Sequence, residues 1–115
     1  MIEKMVVKEY QVKIERYDFS IEGEEGSELA RASIIIIYNK LHKRPYALLE
    51  DVFVDERMRG MGLGKKIVES AINKARQEGC YKIIANLRFE RPGVHKLYES
   101  FGLEKHGYEF RLDFK

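Results

Sequence analysis

LLEDVFVDERMRGMGLGKKIVESAINKARQEG, residues 48–79, runs from an apolar stretch through a charged, glycine-rich turn into an amphipathic segment. Leu48, Leu49, Val52, Phe53 and Val54 make the apolar stretch a strand. Gly60, Gly62 and Gly64 follow, and the helix expected over residues 62–78 begins among them. A strand, a glycine turn and a helix N-terminus together form a phosphate-holding device. The amides of the first helical turn lack intrahelical acceptors, and the helix dipole puts partial positive charge there. Arg57, Arg59, Lys65 and Lys66 crowd the same end, where the dipole disfavours each cation by roughly 0.3–1 kcal/mol. An anion would offset that cost. Taken alone, such a turn is equally well a flexible connection with solvated lysines.

The helix buries Leu63, Ile67, Val68, Ala71, Ile72 and Ala75 on one stripe and turns Glu69, Lys74 and Gln77 away from it. Gly79 suits its C-terminal cap. Residues 81–89 read as the next strand, so strand, helix and strand form a parallel pair joined by a crossover.

Working outward, residues 5–17 alternate in part and read as an opening strand. Residues 21–28 carry Gly23 and Gly26 among glutamates and read as a loop. The run of isoleucines from Ile34 to Ile37 is β-branched and stiff, which predicts a central strand buried on both faces. Residues 39–45 form a polar turn before the strand at 46–54. Downstream, Pro92 opens a second helix with Val94, Leu97 and Phe101 on its buried stripe, and Gly102 closes it. Residues 103–114 are expected to form a last strand or a hairpin about His106 and Gly107. The fold class is α+β, or mixed α/β, with a single layer of sheet.

At 115 residues the chain has room for one domain, residues 1–115, with a modest core. A net charge of +2 does not argue for nucleic acid or for an acidic membrane. The single cysteine, Cys80, excludes an internal disulfide and a cysteine-based zinc cage, and makes a cytoplasmic location the default. Three scattered histidines give no metal-ligand spacing, so no metal is expected. The first residues are charged and do not read as a signal peptide, and no window approaches the ~18 apolar residues of a membrane span.

Spacing excludes two familiar phosphate motifs. The dinucleotide fingerprint needs glycine where Lys65 stands. The nucleotide P-loop needs four residues between its glycines and Ser or Thr after its lysine; here three separate Gly60 from Gly64, and Lys66 follows Lys65. What remains, Arg59-x-x-Gly62-x-Gly64, resembles the acyl-CoA pyrophosphate loop of the GNAT superfamily of N-acyltransferases. The resemblance extends from Ala47 over more than half the chain. It rests on the strand and loop, on a strand ending near Asn86 to Arg88, and on LYESFGL at residues 97–103.

That resemblance implies a single twisted mixed sheet, mostly antiparallel, with a central splayed parallel strand pair and flanking helices. Acetyl-CoA would be the acyl donor. Its pantetheine arm would pair with the backbone of Val52, Phe53 and Val54, and its pyrophosphate would sit on Arg59, Gly60, Met61, Gly62, Leu63, Gly64 and Lys65. Glycines permit that close approach. The implied reaction is direct attack of an amine on the thioester in a ternary complex, with no acyl-accepting nucleophile.

An ammonium must lose its proton before it attacks. Glu50 is the candidate base, through a water, and Asp51 the candidate for binding the amine, as in spermidine/spermine-type members. Alternation puts Glu50 with Val52 and Val54 and Asp51 with Leu49 and Phe53, unless a bulge intervenes. Either carboxylate could instead pair with an arginine or lie at an exposed strand end. Tyr98 matches the family tyrosine that faces the thioester sulfur as general acid; its plainer reading is a core tyrosine beside Leu97 and Phe101.

Two departures stand out. About ten residues, 19–28, replace the two helices that commonly wall the acceptor site. The site is then open to a protein or peptide amine, or completed by a second subunit in a homodimer. Arg91 stands where many members carry an asparagine near the pantetheine, and Asn86 is the nearby alternative. The expected function is acetyl transfer to a small amine, polyamine-like or protein acceptor. A catalytically silent CoA-binding regulatory or assembly module is the alternative, and nucleic-acid binding by the loop cations is the poorest of the three.

Overall fold

Ile34 and Ile36 are fully buried, whereas Ile35 and Ile37 are only half-buried. Strand side chains alternate between faces, so the isoleucine run is covered on one side and half open on the other. The computed structural model, which describes residues 2–86 and 92–114, shows what covers it. Four strands, β1 (Lys13–Glu22), β2 (Glu28–Tyr38), β3 (Tyr46–Val54) and β4 (Ile83–Ala85), form one sheet in the order β1-β2-β3-β4. The first two pairings are antiparallel and β3–β4 is parallel. Helix α1 (Leu63–Gln77) crosses from β3 to β4, and α2 (Pro92–Ser100) follows.

Both helices pack on the same face. Ile67, Val68, Ala71, Ile72 and Ala75 of α1 and Tyr98 of α2 meet Ala32, Ile34, Ile36, Ala47 and Leu49 in one core cluster. The expectation that the isoleucine strand is buried on both faces is therefore corrected: among the described residues no helix covers the second face. Ile34→Ala should cost about 2–5 kcal/mol, because the cavity opens beneath α1. Urea denaturation should show a clearly smaller loss for Ile35→Ala.

Both helices stop on a left-handed glycine. Gly79, at φ +80°, lets its own amide reach the Arg76 carbonyl and lets the Cys80 amide reach that of Ala75, each at 3.0 Å. Gly102, at φ +87°, repeats the arrangement: its amide reaches Glu99, and that of Leu103 reaches Tyr98. In both cases the orphan carbonyls of the last turn are satisfied, as in a Schellman motif. Cys80 is half-buried against the core, and its burial pushes the thiol pKa up, which fits a structural role.

The ends of the chain depart from expectation. The opening strand starts at Lys13, not near Met5, because Lys13 pairs with Tyr38, the last residue of β2, and earlier residues have no strand to join among the described residues. It also runs on to Glu22, so the expected loop at 21–28 shrinks to a five-residue turn, 23–27. Two short backbone bonds hold that turn, Gly23 N–H to Ser27 at 2.8 Å and Gly26 N–H to Gly23 at 3.0 Å. No strand forms over residues 103–114. The strand expected at 81–89 is β4, three residues long, and residues 87–89 lie outside the described residues. The parallel pair accordingly stands at the edge of the described sheet and not at its centre.

Candidate active site

The register of β2 against β3 slips once, and the site is built on that slip. Ser33 pairs with Glu50 and Arg31 with Phe53, so Asp51 and Val52 together oppose the single Ala32. This is a β-bulge. Asp51 takes up the extra length at φ +54°, a left-handed conformation that aspartate adopts more readily than most residues. The simple alternation is corrected by it: Glu50 and Asp51 share the open face, while Val52 packs against the core.

A groove of about 340 Å³ lies on the open face beside the bulge, lined in part by Arg16, Asp18, Arg31, Ser33 and Asp51. Arg16 Nε donates to Asp18 Oδ1 at 2.7 Å, and the Ser33 hydroxyl donates to the same oxygen at 2.7 Å. These two donors hold the Asp18 carboxyl below its usual pKa. Asp18 in turn raises that of Arg16, with smaller contributions from Asp51 and Glu50. Arg31 grips Asp51 with two nitrogens, at 2.9 and 3.3 Å, reaches Glu28 at 2.9 Å, and lies 4.5 Å over the Phe53 ring. Solvent-exposed pairs of this kind contribute little stability; their effect is to fix side-chain positions. Asp51 is thus paired with an arginine. Glu50 is exposed, and its carboxylate makes no hydrogen bond among the described residues.

Beyond the bulge β3 keeps β2 as its neighbour but loses β4. Its pairing with β4 stops at Leu49–Ala85, so residues 50–54 have no β4 partner among the described residues. Asn86 follows directly on β4, exposed, where the two strands part. Arg91 lies outside the described residues.

The glycine loop closes over the free end of β3. Asp55 caps a 3-10 turn, Glu56–Met58, its Oδ1 accepting the Arg57 amide at 3.0 Å. The Arg57 side chain returns to the same carboxylate at 2.9 Å, and Arg59 Nε donates to the Val54 carbonyl at 3.3 Å. Gly60 and Gly62 sit at φ +85° and +80°, and a methyl built on either would meet nothing within 4 Å. The first helical bond runs from the Lys66 amide to the Gly62 carbonyl at 3.1 Å. Hence the amides of Leu63, Gly64 and Lys65 have no acceptor among the described residues, and Gly62 brings no capping side chain. They line the end of a 15-residue helix, with open space above the glycines and four cations in the segment. A pyrophosphate fits such a donor set.

From Gly62 a second groove, about 260 Å³, runs along Lys65, Lys66, Glu69, Ser70 and Asn73 of α1. A methyl at Gly64 would touch Leu97 and Val54, both at 3.5 Å, so the loop, the end of β3 and α2 converge there. Tyr98, next to Leu97, is 8% exposed and belongs to the core cluster.

Asp55 supplies a pH test of the loop. Arg57, through its side chain and then its amide, lowers the Asp55 pKa to about 2, from an ordinary 3.8. The stabilisation is present above about pH 4 and is lost as pH falls through about 2. Asp55→Asn should therefore melt lower than the parent by a constant margin from pH 7 to about 4, and that margin should close towards pH 2.

Sequence patterning located the loop and the two acidic residues of β3 but not Arg16, Asp18, Arg31 or Ser33. Their only signal is membership of one face of β1 and β2, and it becomes meaningful once the cross-strand register is known.

The model of the Acetyltransferase (GNAT) family matches residues 7–103. Glucosamine 6-phosphate N-acetyltransferase 1 of Oryza sativa subsp. japonica is 38% identical over 69 residues, 58% of this chain and 42% of its own length. Glucosamine 6-phosphate N-acetyltransferase of Arabidopsis thaliana is 34% identical over 85 residues, 72% of this chain and 55% of its own. The chain spans about half the length of these curated relatives. The crystal structure of glucosamine-6-phosphate N-acetyltransferase from Arabidopsis thaliana superposes with a TM-score of 0.77 at 31% identity, covering 87% of this chain and 67% of that one.

Proposed function

The chain belongs to the Acetyltransferase (GNAT) family, and on that premise we propose that it transfers acetyl from acetyl-CoA to an amine by direct attack in a ternary complex. The observation that carries this reading is the row of amides at residues 63–65 that have no acceptor among the described residues, beneath the open glycine turn and beside the end of β3 that has lost β4.

The loop from Arg59 to Lys65 would hold the pyrophosphate through those amides, and the groove along α1 would take the nucleotide end. Val52, Phe53 and Val54 have no β4 partner among the described residues, and although Phe53 and Val54 pair with β2 on the other side, the edge that faces away from β2 would take an extended pantetheine arm. Asn86, at the fork, would contact the same arm. When bound, acetyl-CoA supplies the acetyl group as a thioester. The remaining chemistry belongs to protons. Glu50, exposed on the open face, would take a proton from the acceptor ammonium through a water. Tyr98 Oη would give its proton to the departing sulfur.

The acceptor would occupy the groove beside the bulge. Three carboxylates, Asp18, Glu28 and Asp51, line it with Arg16 and Arg31, and Glu50 acts on Arg16 electrostatically from beside it, which suits a cationic amine carrying further polar or anionic groups. Asp51 would have to share its carboxylate with Arg31 to bind the amine. The relatives named for glucosamine 6-phosphate put a phosphorylated amino sugar first in an acceptor panel, ahead of polyamines and peptide amines.

The test is release of free thiol from acetyl-CoA across that panel, with mass spectrometry of the acceptor. The reading expects thiol and acetylated amine to appear in equal amounts for one acceptor class. Binding of acetyl-CoA with no thiol release for any class would favour a silent CoA-binding module.

A further inference from the structure

Arg31 divides its guanidinium between two carboxylates of the groove. Its Nε and Nη2 donate to the two oxygens of Asp51, at 2.9 and 3.3 Å, and its Nη1 donates to Glu28 at 2.9 Å. One cation between two carboxylates leaves negative charge in surplus at this spot. Arg16 differs. Its Nε and Nη2 both go to Asp18, at 2.7 and 3.0 Å, and that pair is balanced.

The two carboxylates hold Arg31 in different ways. Glu28, on the same strand, and the Phe53 ring, 4.5 Å from the guanidinium carbon, anchor it without any help from Asp51. Phe53 is its direct cross-strand partner, so the register of β2 on β3 puts the ring there. A guanidinium over an aromatic face is attracted by the ring quadrupole. Asp51, by contrast, has Arg31 as its one side-chain hydrogen-bond partner among the described residues. It sits on the bulge beside Glu50, at φ +54°, where β3 has already lost β4. Asp51 is therefore the groove carboxylate next to the candidate base.

An ammonium that binds Asp51 competes with the Arg31 fork for the same two oxygens. A fork displaced from one carboxylate presents a pair of donors matched to another carboxylate or to a phosphate. Glu28 and Phe53 keep it in place during the exchange.

We propose that Arg31 determines acceptor specificity by this exchange: the acceptor's ammonium takes Asp51, and the Nε–Nη2 fork of Arg31 takes a carboxylate or phosphate of the same acceptor. The inference rests on the acetyl-transfer reading and narrows it to amines that carry an anionic group near the nitrogen. A neutral amino sugar or a plain polyamine displaces the fork and offers it nothing in return. Arg31 meets the acceptor away from the reacting atoms, so it governs acceptor binding more than the chemical step.

Matched pairs of acceptors test this. Glucosamine 6-phosphate against glucosamine reads a phosphate, and β-alanine against propylamine reads a carboxylate. The anionic member of at least one pair should have the higher kcat/KM by about 10–100-fold, as one or two charge-assisted hydrogen bonds supply. Arg31→Gln should bring that ratio to about one, with the loss in KM. Arg31→Lys keeps the charge without the fork and should recover only part of the ratio. The side chain is 40% exposed, so both variants should keep the far-ultraviolet circular dichroism of the parent. Should the glutamine variant fail to fold, a full ratio in the lysine variant overturns the proposal. So does a parent with no preference in either pair, or a preference that survives Arg31→Gln. Absence of thiol release with every acceptor would sink the acetyl-transfer reading separately. Calorimetric titration with glucosamine 6-phosphate then decides for Arg31. Binding to the parent that weakens about tenfold or more in Arg31→Gln upholds the anion site, and equal binding or none overturns it.

Discussion

Gly62→Glu should weaken acetyl-CoA binding by about 100-fold or more while the chain stays folded. Gly62 is the N-cap of α1 at φ +80°, and a Cβ added there meets nothing within 4 Å. The substitution thus brings no steric conflict with the body of the protein. It brings left-handed strain of roughly 1–2 kcal/mol and a carboxylate over the amides of residues 63–65. Charge-assisted hydrogen bonds are worth about 1.5–3 kcal/mol each, so losing even one or two to a competing carboxylate accounts for the expected factor. Gly62→Ala separates the two effects. It carries the strain without the charge, so its melting temperature should fall as far as that of the glutamate variant while its affinity changes by less than about tenfold. If the glutamate variant binds acetyl-CoA like the parent, the loop is not the pyrophosphate site.

Tyr98→Phe should lower kcat by about 100-fold with acetyl-CoA affinity unchanged, the size expected for removing one positioned proton donor. The ring is 8% exposed and packed in the core cluster, so phenylalanine keeps the packing and removes only the hydroxyl. Tyr98→Ala would say little, since a lost core aromatic costs about 3–5 kcal/mol. Glu50→Gln is the companion variant. Its carboxylate is exposed and makes no hydrogen bond among the described residues. Stability should hold, and kcat should fall by a similar factor, about 100-fold. Unchanged turnover in both variants would remove Glu50 and Tyr98 from the chemistry and leave catalysis to orientation alone.

What the sequence makes legible here is local. Helix α1 was expected over residues 62–78 and spans Leu63–Gln77 with Gly62 as cap, because its stripe and its glycines act within a few residues of each other. The bulge at Asp51 is different in kind. It depends on which residue of β2 faces which residue of β3, and a single strand read alone reports only strict alternation, which sent Glu50 and Asp51 to opposite faces. The Arg16–Asp18–Ser33 and Arg31–Asp51 contacts lie across strands and were illegible for the same reason. The open face of the isoleucine strand has a further cause: four consecutive β-branched residues state that a strand forms, not how many layers cover it. At the chain ends, alternation in residues 5–17 and 103–114 signals only strand propensity, and over 103–114 no strand forms. Propensity became a strand only from Lys13, where β2 supplies a partner.

The central claim is that the amides at the start of α1 hold the pyrophosphate of acetyl-CoA. Calorimetric titration of the full chain with acetyl-CoA tests it most directly, repeated with desulfo-CoA, which keeps the pyrophosphate, and with pantetheine, which lacks it. The account predicts saturable binding of one acetyl-CoA per chain, similar binding of desulfo-CoA, and a large loss of affinity for pantetheine. Equal affinity for pantetheine and acetyl-CoA, or no heat with acetyl-CoA at all, would contradict it.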